Sequence, residues 1–204
     1  MFKKVHTIVL VAAICICGCQ KDSSPGGLTS GAFNGRVTAK IENGASLNSV
    51  ISTVMVVNGP YIENNTLKGV YVGESDFKNG GFDLELPENG FDKGYMSIKK
   101  FFEDCLDVHE DLEYSDASVQ VEDVDFLAFD KDDYLQGYFI YGSSAKEEGR
   151  TTGFFVYTKE DVTVTGEKSI AVSLKKGWNR LYHSATSVTT KAPSGMKWFF
   201  LEME

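Results

Sequence analysis

The sequence predicts a mainly β domain, an antiparallel sandwich or barrel-like fold with one short helix (about 93–104), behind an N-terminal leader. Three observations predict it. Short runs rich in Val, Ile, Phe, Tyr and Thr recur along the chain, with Gly, Asn, Asp and Pro between them. A single segment carries helical spacing. The first eighteen residues have a basic start and an apolar run too short to span a bilayer.

Lys3 and Lys4 open the leader, and Val5 to Gly18 is apolar except for His6 and Thr7. It ends in Ile16-Cys17-Gly18-Cys19, which resembles a bacterial lipobox. The resemblance implies cleavage before Cys19 and acylation of that cysteine. Residues 1–18 are then the signal peptide, 19–32 the lipidated cysteine and a flexible tether, and 33–204 a single domain. The tether is polar, small and glycine-rich, and its 13 residues after Cys19 reach about 43 Å when extended. Gln20-Lys21-Asp22 is similar to the surface-export signals of Bacteroidetes lipoproteins, with Ser23 and Ser24 where that signal carries acidic residues. That departure is compatible with either face of the outer membrane.

Strands are expected at Phe33–Ile41, Val50–Val57, Gly69–Glu74, Gly81–Leu86, Ser118–Phe129, Tyr134–Tyr141, Thr152–Tyr157, Asp161–Thr165, Ser169–Leu174, Trp178–His183, Ser187–Thr190 and Met196–Met203. Asn58-Gly59-Pro60, Asn79-Gly80-Gly81 and Pro193-Ser194-Gly195 punctuate them. In Gly81–Leu86, Phe82, Leu84 and Leu86 share a face against Asp83 and Glu85. Phe154-Phe155-Val156-Tyr157 and Trp198-Phe199-Phe200-Leu201 are apolar on both faces, so those strands need cover on both sides. From Phe91, apolar residues recur at Tyr95, Ile98, Phe102 and Cys105, which predicts a helix from about Lys93 to Asp104 with Asp92 as N-cap and Cys105 on the buried stripe.

Four phrases in order resemble small lipoproteins of gut Bacteroidetes: Asn79-Gly80-Gly81-Phe82-Asp83-Leu84-Glu85-Leu86-Pro87, Asp161-Val162-Thr163-Val164-Thr165-Gly166, Leu174-Lys175-Lys176-Gly177-Trp178-Asn179 and Pro193-Ser194-Gly195-Met196-Lys197-Trp198. The resemblance implies a β-rich single domain and an outer-membrane location, and carries over no catalytic residue.

Beyond residue 18 the chain has 18 basic and 29 acidic side chains. That balance argues against nucleic acid as a partner. Cys19 and Cys105 are its only cysteines; with Cys19 acylated, no internal disulfide forms and the core alone holds the domain. The acidic excess is concentrated between Glu103 and Asp133, where 13 acidic side chains accompany one basic residue, Lys131. Two readings compete, a solvated loop and edge or a Ca²⁺ site at Asp130, Asp132 and Asp133. The EF-hand pattern fails, because Leu135 and Tyr141 stand where its Gly and Glu belong.

On a strand through residues 178–183, Trp178, Arg180 and Tyr182 share one face. That face either stacks a sugar or touches a protein, or its rings are core and the guanidinium reaches out. Cys105 and His109 are four apart but have no second pair to complete a zinc site. No P-loop, dinucleotide fingerprint, Gly-x-Ser-x-Gly or His-Glu-x-x-His occurs. These observations together point to a membrane-anchored, non-enzymatic binding or interaction module with a glycan or protein partner. The alternatives are a structural adhesin or fimbria-related subunit and a glycoside-type hydrolase with a carboxylate pair. A long open edge strand favours assembly, and two inward carboxylates in a cleft favour the enzyme.

Overall fold

The computed structural model describes residues 30–63, 66–91, 93–167 and 169–203. The leader, Cys19, the tether as far as residue 29 and Asp92 lie outside the described residues.

Alternation decides the first pairing. In β1 (Arg36–Lys40), Val37 and Ala39 are buried while their neighbours face out; in β4 (Gly81–Glu85), Phe82 and Leu84 are buried and Asp83 and Glu85 are not. The two strands pair antiparallel as a separate ribbon with Thr38 opposite Asp83. Asp83 accepts hydrogen bonds from Arg36 and from the Thr38 hydroxyl, which fixes that register on the outer face.

Between them a 3-10 turn over Gly44–Ser49 leads into a long hairpin, β2 (Thr53–Glu63) and β3 (Thr66–Asp76). Asn58-Gly59-Pro60 does not end a strand. It lies inside β2, where the register shifts between Val56 and Val57 and again between Asn58 and Tyr61. Pro60 has no N–H to give a ladder and Gly59 has φ 54°, so the strand bulges and continues.

The remaining elements are β5 (Met96–Ser97), α1 (Ile98–Asp104), β6 (Leu112–Tyr114), β7 (Gln120–Asp123), β8 (Asp125–Phe129), β9 (Leu135–Gly142), β10 (Thr152–Thr158), β11 (Val162–Gly166), β12 (Ile170–Leu174), β13 (Gly177–Ser184), β14 (Ser187–Thr189) and β15 (Lys197–Glu202). Thirteen strands form one hydrogen-bonded sheet that can be followed as two arrays. The first runs β3-β2-β8-β9-β15, antiparallel throughout. The second runs β7-β10-β13-β14-β12-β11-β6, with β5 beside β7 and a parallel step between β12 and β14. They join where β7 passes through Val124 into β8, and where β9 meets β10 at Tyr141 and Gly142. The fold is mainly β and sandwich-like, and closes no barrel.

The β1–β4 ribbon covers the inner face of the first array. Val37, Ala39, Phe82 and Leu84 meet Val54, Val56, Phe126, Phe139, Phe155 and both tryptophans there. Phe126 stands edge-on to Trp198 at 5.1 Å and to Phe155 at 5.2 Å, the geometry that ring quadrupoles favour. A second core lies under α1, whose Ile98, Phe101 and Phe102 pack with Leu106, Val121, Val156, Val164, Val172 and Leu181. Phe155 and Tyr157 belong to the first core and Val156 to the second, so β10 is covered on both faces.

The helix begins later than its spacing predicts. Ser97 is extended at φ −68°, ψ 150°, and its side chain accepts the Lys100 N–H as N-cap. Gly94 has φ +96°, and Met96–Ser97 pairs with β7 as β5. Phe91 and Tyr95 pack against the first core, while Ile98 and Phe102 enter the second. The regular spacing therefore spans two cores rather than one helix face. Cys105 is exposed at the helix C-cap, and Leu106 takes the interior position the stripe assigned to it.

Candidate functional site

β13 places Trp178, Arg180 and Tyr182 on one face, as alternation predicts, but that face looks into the first core. Trp178 is 4% exposed and Tyr182 2%. The Trp178 indole N–H donates to the Pro87 carbonyl at 2.8 Å, and its ring packs against Tyr157 and Phe91. The Arg180 guanidinium lies over Phe33 at 4.8 Å and near Phe155, with its Nε buried and making no hydrogen bond. These rings present no open platform for a sugar, because residues 31–33 lie along β13 and close it: Phe33 N–H donates to Trp178 O and Arg180 N–H to Gly31 O.

Asp130 is committed to its own turn. Its Oδ1 accepts the N–H groups of Asp132 and Tyr134, both at 2.9 Å, and its Oδ2 accepts Gln136 Nε2 at 2.7 Å. Asp133 takes φ 62° in the same β8–β9 turn. The three carboxylates predicted as cation ligands are thus arranged by turn geometry, with Asp132 exposed. Among the described residues no group of three or more His, Cys, Asp or Glu is placed to hold a metal ion.

A shallow pocket of about 110 Å³ brings together side chains that are far apart in sequence. Asp107, His109 and Glu110 from the loop after α1 face His183, Ser184 and Ser187 at the β13–β14 turn. His109 Nε2 lies 2.8 Å from Asp107 Oδ1, and the two serine hydroxyls are 2.8 Å apart. Burial lowers the His183 imidazole below its ordinary value, against an opposing pull from the Asp107 charge. The helix stops at Asp104, as expected, so Cys105 and His109 do not share a helical turn. Local spacing carried no sign of this pocket, since it depends on how a loop docks on a distant hairpin.

Burial acts on two further groups nearby. The Cys105 thiol is pushed up to about 11 by partial burial and by the charges of Asp123, Asp104 and Asp125. Asp123 is raised to about 7 by burial and the Asp125 charge. Glu122 and Asp123 are strand neighbours, so they point to opposite faces and do not flank one substrate space.

The outer face of the first array carries a small apolar cluster, largely buried, with exposed tyrosines at its margin. Met55 lies opposite Leu127, Leu127 opposite Tyr138, and Tyr138 opposite Leu201. Directly opposed side chains share a face, so this is one apolar row across four strands. Val57, Phe129, Leu67 and Leu135 join it. Among the described residues five large apolar side chains stay exposed: Val50, Tyr61, Tyr71, Tyr138 and Met203. All but Val50 lie on this array or directly follow its last strand. Tyr71 is 55% exposed and flanked by exposed Lys68 and Glu74 on β3. The outer edge of β3 has no strand partner among the described residues.

The chain matches no family model, no curated protein and no solved structure.

Proposed function

We propose that the protein is an interaction module anchored to the outer membrane through a lipid on Cys19, which holds its domain on the chain between Cys19 and residue 30 and engages a protein partner through the outer face of the β3-β2-β8-β9-β15 array. The observation that carries this reading is the pair of exposed tyrosines, Tyr71 and Tyr138, beside an apolar row on that one face. Tyrosine offers large contact area with few torsions to freeze and a hydroxyl for the rim. The position of β3 at the end of the strand order favours a second reading, a structural subunit that assembles by strand addition. The register shifts within the hairpin distort that edge and weigh toward side-chain recognition on the face.

Site-specific photo-cross-linking in cells tests the face. A benzophenone side chain at Tyr71 or Tyr138 is expected to give a discrete adduct, and one at Thr165, exposed on the second array, none. Equal labelling at all three positions, or none at Tyr71 and Tyr138, rejects the proposal. Mass spectrometry of the native N-terminus tests the anchor separately: an acylated Cys19 is expected, and an intact residue 1–18 segment rejects it.

A further inference from the structure

Glu122 is the most anomalous side chain among the described residues. It lies on β7 opposite Tyr157 of β10, is 0% exposed, and neither carboxylate oxygen has a hydrogen-bond partner. A buried charge without a partner costs several kcal/mol, so an acid so placed is stable only when something neutralises it. The surroundings define what that is. Gly94, at φ +96°, passes so close that a Cβ on it would lie 2.6 Å from Glu122 Oε1 and 2.4 Å from Asn58 Oδ1. Two oxygens from different strands therefore lie beside the same point, the place a Gly94 Cβ would occupy. Asn58 sits at the β2 bulge, is 6% exposed, and donates its Nδ2 to the Asp123 carbonyl at 2.9 Å. That bond sets the amide orientation, since the flipped amide would turn its oxygen onto a carbonyl. Asn58 Oδ1 is left as an acceptor toward a group that, when ionised, can only accept.

We propose that Glu122 and Asn58 form a proton-operated lock, in which the neutral Glu122 carboxyl donates its proton to Asn58 Oδ1 and so fastens the β2 bulge, β7 and the Gly94–Tyr95 segment together.

The charged and titratable groups around it agree. On β7 itself the Asp123 charge opposes ionisation of Glu122. Beyond the end of β10, Lys159 favours ionisation, but its Nζ sits over the Tyr95 ring at 3.9 Å and makes no hydrogen bond to the carboxylate. Tyr157 from β10 and Tyr95 from the covering segment supply rings that pack together. Burial is the largest influence, and the Glu122 carboxyl is raised to about 8. The sign follows. A group raised above its unfolded value contributes stability that is complete below the unfolded value near 4.5 and is lost as pH rises through about 8. Deprotonation removes the donor and leaves an unpaired charge under Gly94, which loosens the segment from the bulge.

The test is stability and tryptophan fluorescence of the full domain from pH 6 to 9.5. Trp178 reports on the region, because it contacts Phe91 and Tyr157. The wild type is expected to lose stability as pH rises until it levels off near pH 8, where native tryptophan fluorescence has its midpoint. Glu122→Gln, whose amide supplies a permanent donor, is expected to lose the fluorescence step near pH 8 and to keep only the shallower stability loss below about pH 7 that Asp123 contributes. Lys159→Met, an exposed change, removes the attraction that favours ionisation and should move the midpoint upward. It keeps the proposal falsifiable if the glutamine variant misfolds. A wild-type profile without a transition, an unchanged transition in Glu122→Gln, or an unmoved midpoint in Lys159→Met overturns the lock. So does a rise in melting temperature with Ca²⁺ at pH 9 that Glu122→Gln abolishes, since the neutralising group is then a metal.

Discussion

Trp178 donates its indole N–H to the carbonyl oxygen of Pro87 at 2.8 Å, tying β13 to the chain that follows β4. The bond explains why the largest ring on that strand faces inward. An indole N–H needs a partner when buried, and a proline carbonyl in a loop has no ladder to join.

Trp178→Ala removes this bond and leaves a cavity beside Tyr157 and Phe91. Urea unfolding is expected to show a loss of about 3–5 kcal/mol. A midpoint equal to the wild type would contradict the buried placement and reopen the face as a stacking platform.

Asp130→Ala removes the acceptor for Asp132, Tyr134 and Gln136. A turn stripped of those bonds should cost about 1–3 kcal/mol in thermal or urea unfolding. Millimolar Ca²⁺ and EDTA should leave the wild-type melting temperature where it is. A calcium-dependent rise that vanishes in Asp130→Ala would reinstate the cation site.

Cys105 is exposed, yet its thiol is expected to react slowly. With its thiol at about 11, roughly one molecule in ten thousand carries the thiolate at pH 7. Alkylation by iodoacetamide is expected to accelerate about tenfold per pH unit from 7 to 10. A rate at pH 7 matching free cysteine would show that neither partial burial nor the charges of Asp123, Asp104 and Asp125 raise the thiol.

Two glycines with positive φ should respond differently to alanine. At Gly94 a methyl meets Asn58 Oδ1 and Glu122 Oε1, while at Gly59 it meets nothing within 4 Å. Gly59→Ala then carries only backbone strain, about 1 kcal/mol. Gly94→Ala must add the displacement of two buried polar groups and cost clearly more. Equal losses in denaturant titrations would mean that the Gly94 contact is soft.

The sequence showed most of the strands because their side chains obey a local rule. Phe82 and Leu84 alternate with Asp83 and Glu85, and they pair with β1 as that alternation requires. What local rules missed is set by distant contacts. The 4-3-4-3 spacing from Phe91 reads as one helix, yet Phe91 and Tyr95 belong to a different core from Ile98 and Phe102. Ser118–Phe129 reads as one strand, but it divides at Val124 where its pairing partners change. The three predicted ligand side chains on β13 share a face, but alternation cannot say whether a face looks inward or outward. His109 and His183 meet only through docking of a loop on a hairpin, and Glu122 looks in sequence like any acid in an acidic stretch.

The passage of β7 into β8 has a consequence for how the domain comes apart. Val121 is built into the core under α1, and five residues later Phe126 is built into the core under the β1–β4 ribbon. One continuous backbone segment thus supplies wall to both. Melting either core pulls on the strand that walls the other, so the two form a single cooperative unit. Helicity of α1 and the environments of both tryptophans should vanish in one calorimetric transition, and neither half of the chain, cut near Val124, should fold alone.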